Sequence, residues 1–98
     1  MFERISVTQA QTLVANEACN IVDIRDAQSY AQAHVPNAAH LDGNIIDAFI
    51  ADSDRERPLI IYCYHGNSSQ SAAQYFAGQN FKRVYSVDGG FEAWRLQL

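Results

Sequence analysis

Four apolar residues in succession, Leu59-Ile60-Ile61-Tyr62, run straight into Cys63 and then into a polar loop, Tyr64-His65-Gly66-Asn67-Ser68-Ser69. A run this short and hydrophobic reads as a buried strand, the most hydrophobic of the chain and the one expected at the centre of a sheet. The next residues, Gln70-Ser71-Ala72-Ala73-Gln74-Tyr75-Phe76-Ala77, favour a helix. Strand, polar loop and helix in that order place the Cys63 sulfur at the mouth of a ring of backbone N–H groups. That ring lies on the positive end of a helix dipole, which favours anions. Such a setting lowers a thiol pKa and makes Cys63 a candidate nucleophile. The plain alternative is a buried, inert cysteine at a strand end, and the polar, glycine-containing loop weighs against it.

The rest of the chain repeats the strand–helix alternation on a small scale. Ser6-Val7-Thr8-Gln9 fits a capping box with Ser6 as N-cap, and Thr8 is an alternative cap. Ala10, Leu13 and Val14 then form one helical face that reaches Ala15 or Asn16. Ile21-Val22-Asp23-Ile24 reads as a strand, and Asp26 as the cap of a short helix from Ala27 to Ala33. His34-Val35-Pro36-Asn37 reads as a turn, Ala38–Leu41 as a short strand, and Ile45–Ala51 as a helix with Ile46, Phe49 and Ile50 inward. The charged stretch Asp52–Pro58 is expected on the surface. Gly78 or Asn80 stops the helix that follows the Cys63 loop. Val84–Val87 is the last strand, and Asp88-Gly89-Gly90 turns into a final helix, Phe91–Arg95. Short buried strands alternating with helices call for an α/β fold, a parallel sheet with helices on both faces. Ligands in such sheets bind beyond the carboxyl ends of the strands, where Cys63 falls.

At 98 residues the chain fits one compact domain. It has enough length to bury a core without disulfide staples. Its two cysteines, Cys19 and Cys63, form neither a CxxC pair nor a metal-ligand spacing; a nucleophilic Cys63 must stay reduced, so a reducing cytoplasm is the expected compartment. Met1–Ser6 has no basic start followed by an apolar core, so no secretory signal is expected, and no apolar run approaches a membrane span. The net charge is −4 and the seven basic residues are scattered, which argues against a nucleic-acid partner.

Four segments in order carry a family resemblance: Val22-Asp23-Ile24-Arg25, His34-Val35-Pro36-Asn37-Ala38, Cys63 with its loop, and Asp88-Gly89-Gly90-Phe91-Glu92-Ala93-Trp94. From about Ile5 to Trp94 the chain resembles the rhodanese family. The Cys63 loop and the Asp88–Trp94 segment look specifically like its small, single-domain thiosulfate sulfurtransferases of the GlpE type. The resemblance implies one rhodanese domain over residues 1–98, with a central, mostly parallel sheet of about five short strands and helices on both faces. It also implies an enzyme with thiosulfate as donor and a persulfide on Cys63. Sulfite is released, and cyanide, a small thiol or a thioredoxin-like protein accepts the sulfur. No cofactor or metal is implied, because sulfite is a competent leaving group. Catalysis then rests on Cys63, and substrate binding on Tyr64, His65, Gly66, Asn67, Ser68, Ser69 and Arg25.

Several roles stay open at this point. His65 assists anion binding when protonated, or contributes only its backbone N–H. Gly66 admits a backbone conformation that other residues resist, and Asn67 tolerates a left-handed φ. Ser68 or Ser69 caps the helix at about Ser68 and could also donate to the persulfide or to a thiosulfate oxygen; for Ser69, capping alone is the favoured reading. Arg25 adds positive potential for an anionic donor, or pairs with Asp23, Asp26 or another carboxylate. His34 and His40 are expected as fold-stabilising hydrogen-bonders, Trp94 as a core anchor, and Cys19 as buried and inert. Two other readings remain. One is a carrier that receives sulfur from a protein partner. The other is a phosphatase or arsenate reductase of the same fold, which would carry Cys-x5-Arg and a loop about one residue longer. Ser69 stands where that Arg would be, and no Arg occurs from Tyr64 to Phe81.

Overall fold

The computed structural model describes all residues from Met1 to Leu98. Its strands are β1 (Glu3–Ile5), β2 (Asn20–Asp23), β3 (Ala39–His40), β4 (Leu59–Tyr62) and β5 (Val84–Val87). Its helices are α1 (Val7–Asn16), α2 (Ala27–Gln32), α3 (Ile46–Asp52), α4 (Ser68–Ala77) and α5 (Gly90–Trp94), followed by a 3₁₀ turn over Arg95–Gln97. The sheet order is β1-β5-β4-β2-β3, every pairing is parallel, and the apolar run Leu59–Tyr62 is the central strand as expected.

Alternation along the strands divides the core into two halves. Ile60 and Tyr62 of β4 face one side with Ile21, Val87, Ala10 of α1, and Phe91 and Trp94 of α5. Leu59 and Ile61 face the other with Val22, Val84, Ile50 of α3, and Ala73 and Phe76 of α4. A strand buried on both faces cannot alternate with polar residues, which is why β4 reads as an unbroken apolar run. Trp94 is 2% exposed and anchors the final helix, as the sequence predicts.

Local signals fix the starts of α1 and α2. The Ser6 capping box forms in full: Gln9 N–H donates to Ser6 Oγ at 3.1 Å and Ser6 N–H to Gln9 Oε1 at 2.8 Å. Asp26 caps α2 by accepting from Ser29 N–H at 3.0 Å. β1 is the strand that no local pattern announces. Glu3-Arg4-Ile5 buries only Ile5, and the segment is a strand because it registers against Tyr85, Ser86 and Val87. Tertiary pairing, not propensity, decides it. Asp52, expected in the surface loop, closes α3 instead. No helix is long and apolar enough to cross a membrane.

Candidate active site

Cys63 follows the last residue of the central strand, at the carboxyl end of the sheet. Its loop is clamped from below by the start of α5. Phe91 N–H donates to the Cys63 carbonyl at 2.8 Å and Glu92 N–H to the Tyr64 carbonyl at 3.1 Å. Two glycines make that contact possible. Gly66 has φ +95°, and a Cβ there would lie 2.9 Å from both Gly89 N and the Val87 carbonyl oxygen. Gly90 has φ +55°, and a Cβ there would lie 2.5 Å from the Cys63 carbonyl oxygen. Both positions combine a left-handed backbone with no room for a side chain. Gln70 braces the loop from within α4, its Nε2 donating to the Gly66 carbonyl at 2.9 Å.

The loop converges on the sulfur. Gly66 N–H and Ser69 N–H donate to Cys63 Sγ at 3.2 and 3.3 Å, and Ser69 Oγ lies 3.4 Å from it. Ser69 Oγ in turn lies 2.8 Å from Ser86 Oγ on β5, and both serines are fully buried. Burial pushes the Cys63 thiol up. The Ser69 hydroxyl, with N–H groups of Ser69, Gly66 and His65, outweighs it and holds the thiol below its ordinary pKa. The N–H groups of Asn67 and Ser68 donate to no acceptor in the protein and stay free for a further one. A cavity of about 150 Å³, lined by Cys63, Tyr64, His65, Asn67 and Ser68, opens on the sulfur. A larger hollow of about 400 Å³ beside β1 and α1 shares none of these residues and holds no nucleophile.

The predicted loop residues are thus together, with three differences in detail. Asn67 stands at the N-cap position with φ −90°, so its left-handed tolerance is unused. No serine caps α4, whose start has no side-chain cap. Ser69 points its hydroxyl at Cys63 and Ser86 instead, because a buried hydroxyl goes to its buried partners. His65 is exposed. Tyr64 is 39% exposed, and its hydroxyl donates to the carboxylate of Asp26 and lies 2.9 Å from Ser29 Oγ, which ties the loop to α2.

Arg25 is paired with Asp23. Its Nη2 lies 2.6 Å from Asp23 Oδ2, and its Nε reaches both carboxylate oxygens at 3.0 and 3.1 Å. It also donates to the Ala33 carbonyl at 2.6 Å and stacks 4.0 Å from the centre of the Phe91 ring. No hydrogen bond joins it to Cys63 or its loop; it links the end of β2 to α5. His34 and His40 hydrogen-bond the carbonyls of Tyr30 and Arg25, as expected of fold-stabilising histidines. Cys19 is half-buried, not buried, and its thiol donates to the Glu17 carbonyl at 3.5 Å. Burial and then the Glu17 carboxylate push that thiol up, the reverse of Cys63.

Two residues went unread in the sequence. Gln70 looks like any helix former. Ser86 does carry a signal: a hydroxyl inside the buried strand Val84–Val87 requires a buried partner.

The sequence matches the Rhodanese-like domain family over residues 6–97. It is 57% identical over 94 residues to the thiosulfate sulfurtransferase GlpE of Ectopseudomonas mendocina, covering 96% of this chain and 85% of that one. It is 54% identical to the GlpE of Pseudomonas savastanoi pv. phaseolicola, covering 96% and 88%. Among solved structures, the Rhodanese-like domain protein of Staphylococcus aureus superposes with a TM-score of 0.81 at 21% identity, over 95% of this chain and 91% of that one. The Rhodanese-like domain of an Anabaena protein superposes with a TM-score of 0.84 at 19% identity, over 99% and 76%. The chain belongs to the rhodanese-like domain family.

Proposed function

We propose that this family member is an enzyme, a thiosulfate sulfurtransferase, that carries the sulfur as a persulfide on Cys63. The observation that carries the reading is the convergence of Gly66 N–H, Ser69 N–H and the Ser69 hydroxyl on one sulfur beneath a small cavity. The Cys63 thiolate attacks the outer sulfur of thiosulfate. The new S–S bond forms as the old one breaks, and sulfite leaves with the electron pair. Cyanide or a thiol then attacks the outer persulfide sulfur, and the Cys63 thiolate returns as the leaving group. The free N–H groups of Asn67 and Ser68 are available to the outer sulfur and to the departing anion. Backbone dipoles do not reorganise during the reaction and need no protonation, so neither half-reaction requires an acid or a base. The thiol must remain reduced between turnovers, which fits a reducing cytoplasm.

The same geometry disfavours phosphate chemistry. A phosphatase of this fold needs a bidentate cation beside the cysteine. Here that place belongs to Ser69, and the arginine at the rim is already engaged by Asp23. The test is intact mass after incubation with thiosulfate, desalted without reductant. One added sulfur atom is expected, removed by cyanide or dithiothreitol and not formed in Cys63→Ser. An unchanged mass with Cys63 still titrating as a free thiol would sink the proposal.

A further inference from the structure

Cys63, Ser69 and Ser86 form a row of three protic groups joined by two contacts, 3.4 Å from sulfur to Ser69 Oγ and 2.8 Å from there to Ser86 Oγ. Ser86 makes no other side-chain hydrogen bond, and it is fully buried on β5, facing the α4 side of the sheet. When the sulfur carries a proton, the row holds three protons for two gaps. One of them must then lack an acceptor within the row. It is either the Ser86 proton, in the core, or the thiol proton, turned away from Ser69 toward the loop and its cavity. When the sulfur is ionised, two protons fill two gaps: Ser86 O–H donates to Ser69 Oγ, and Ser69 O–H donates to the sulfur. A buried hydroxyl hydrogen without an acceptor is costly, so the row is best satisfied when Ser86 donates to Ser69 and Ser69 to the sulfur, the arrangement an ionised sulfur accepts most strongly.

We propose that Ser86 is a positioning residue for the sulfur chemistry: its hydroxyl donates to Ser69 and so fixes the Ser69 proton on the Cys63 sulfur. It does not touch substrate. It acts through Ser69, and the lowered Cys63 pKa accords with that arrangement. Around the loop stand His65 and Tyr64 on the loop itself, the Asp23–Arg25 pair at the end of β2, Asp26 beyond it, and Asp88 and Glu92 about α5. None of their side chains hydrogen-bonds Cys63, and all are left in place by the test.

The inference rests on Cys63 as the reactive thiol, but its test reads the thiol and not sulfur transfer, so the two readings fail separately. In a Cys19→Ser background, the pH dependence of iodoacetamide alkylation reports Cys63 alone. Ser86→Ala should raise the titration midpoint by about 0.5 to 1 pH unit, with roughly three- to tenfold slower alkylation at neutral pH, restored at high pH. In Ser69→Ala the midpoint should rise at least as far, and adding Ser86→Ala should move it no further, because the relay is already cut. A Ser86→Ala protein that loses thermal stability with the midpoint unmoved would reduce Ser86 to a packing residue. An equal further shift in the Ser69→Ala background, or an unmoved midpoint in Ser69→Ala itself, would equally overturn the relay.

Discussion

Replacing Gly90 by alanine tests whether the floor under the cysteine loop is as tight as the geometry says. The new Cβ would lie 2.5 Å from the Cys63 carbonyl oxygen and 2.6 Å from the Tyr64 carbonyl carbon and oxygen. Ordinary contact begins near 3.4 Å, so the loop backbone must retreat by about 0.9 Å. Alanine at φ +55° adds about 1–2 kcal/mol of left-handed strain. Overpacking against rigid backbone adds about 1–3 kcal/mol. A loss of roughly 2–5 kcal/mol corresponds to a fall in Tm of about 8–40 °C for a domain of this size. The displacement also matters chemically, because the N–H groups of Gly66 and Ser69 reach the sulfur at 3.2 and 3.3 Å with little slack. Circular-dichroism melts, paired with the pH dependence of Cys63 alkylation, would read both effects. Gly43→Ala is the control: nothing lies within 4 Å of its Cβ, and a change within about 0.5 kcal/mol is expected. A Gly90→Ala protein that melts within about 2 °C of the parent and alkylates Cys63 with an unchanged midpoint would refute the argument.

The buried Asp23–Arg25 pair should behave as a stability element. Asp23→Asn leaves the Arg25 charge 6% exposed and unpaired, and should cost about 3–5 kcal/mol in urea denaturation, whereas a loss under about 1 kcal/mol would mean the guanidinium finds another partner. The two thiols should also part company. Limiting iodoacetamide near neutral pH should label Cys63 ahead of Cys19, because one thiol is held below its ordinary pKa and the other above it; equal labelling of both would contradict the loop's electrostatics. The linkage has a definite sign: ionised Cys63 stabilises the fold fully above the ordinary thiol pKa, and that contribution is lost as pH falls through the lower folded value.

What was legible in the sequence follows from how local each interaction is. The Ser6 and Asp26 caps, the central strand Leu59–Tyr62 and the Cys63 loop depend on residues within a few positions of one another, and they stand where the sequence put them. β1 and Ser69 depend on contacts across the sheet. Glu3–Ile5 becomes a strand through β5, 82 positions away at the Glu3–Tyr85 pair. Ser69 reads as a cap because serine at a helix start usually caps, but the distant Ser86 competes for its hydroxyl and wins. Arg25 shows the intermediate case. The sequence named Asp23 among its partners, and packing against Ala33 and Phe91 was needed to select it.

Strand order explains how so few side chains build this site. β4 and β5 are neighbours, with Ile61 opposite Ser86, so the end of β4 and the turn after β5 meet at the same rim. A hydroxyl one carbon from the β5 backbone then reaches a serine in the first turn of α4, and that serine reaches the sulfur. The turn itself, through Gly90, comes close enough to hold the loop by backbone hydrogen bonds alone. The backbone donors fixed in this way have neither a charge to titrate nor a side chain to swing, so loop length becomes the quantity that sets the chemistry. Ser69 is the sixth residue after Cys63 and contributes both its N–H and its hydroxyl to the sulfur. One more residue before it would rotate the start of α4 by about 100° and carry both donors off the sulfur together. Ser86 would then have no link to the thiol, although every residue of the row would still be present.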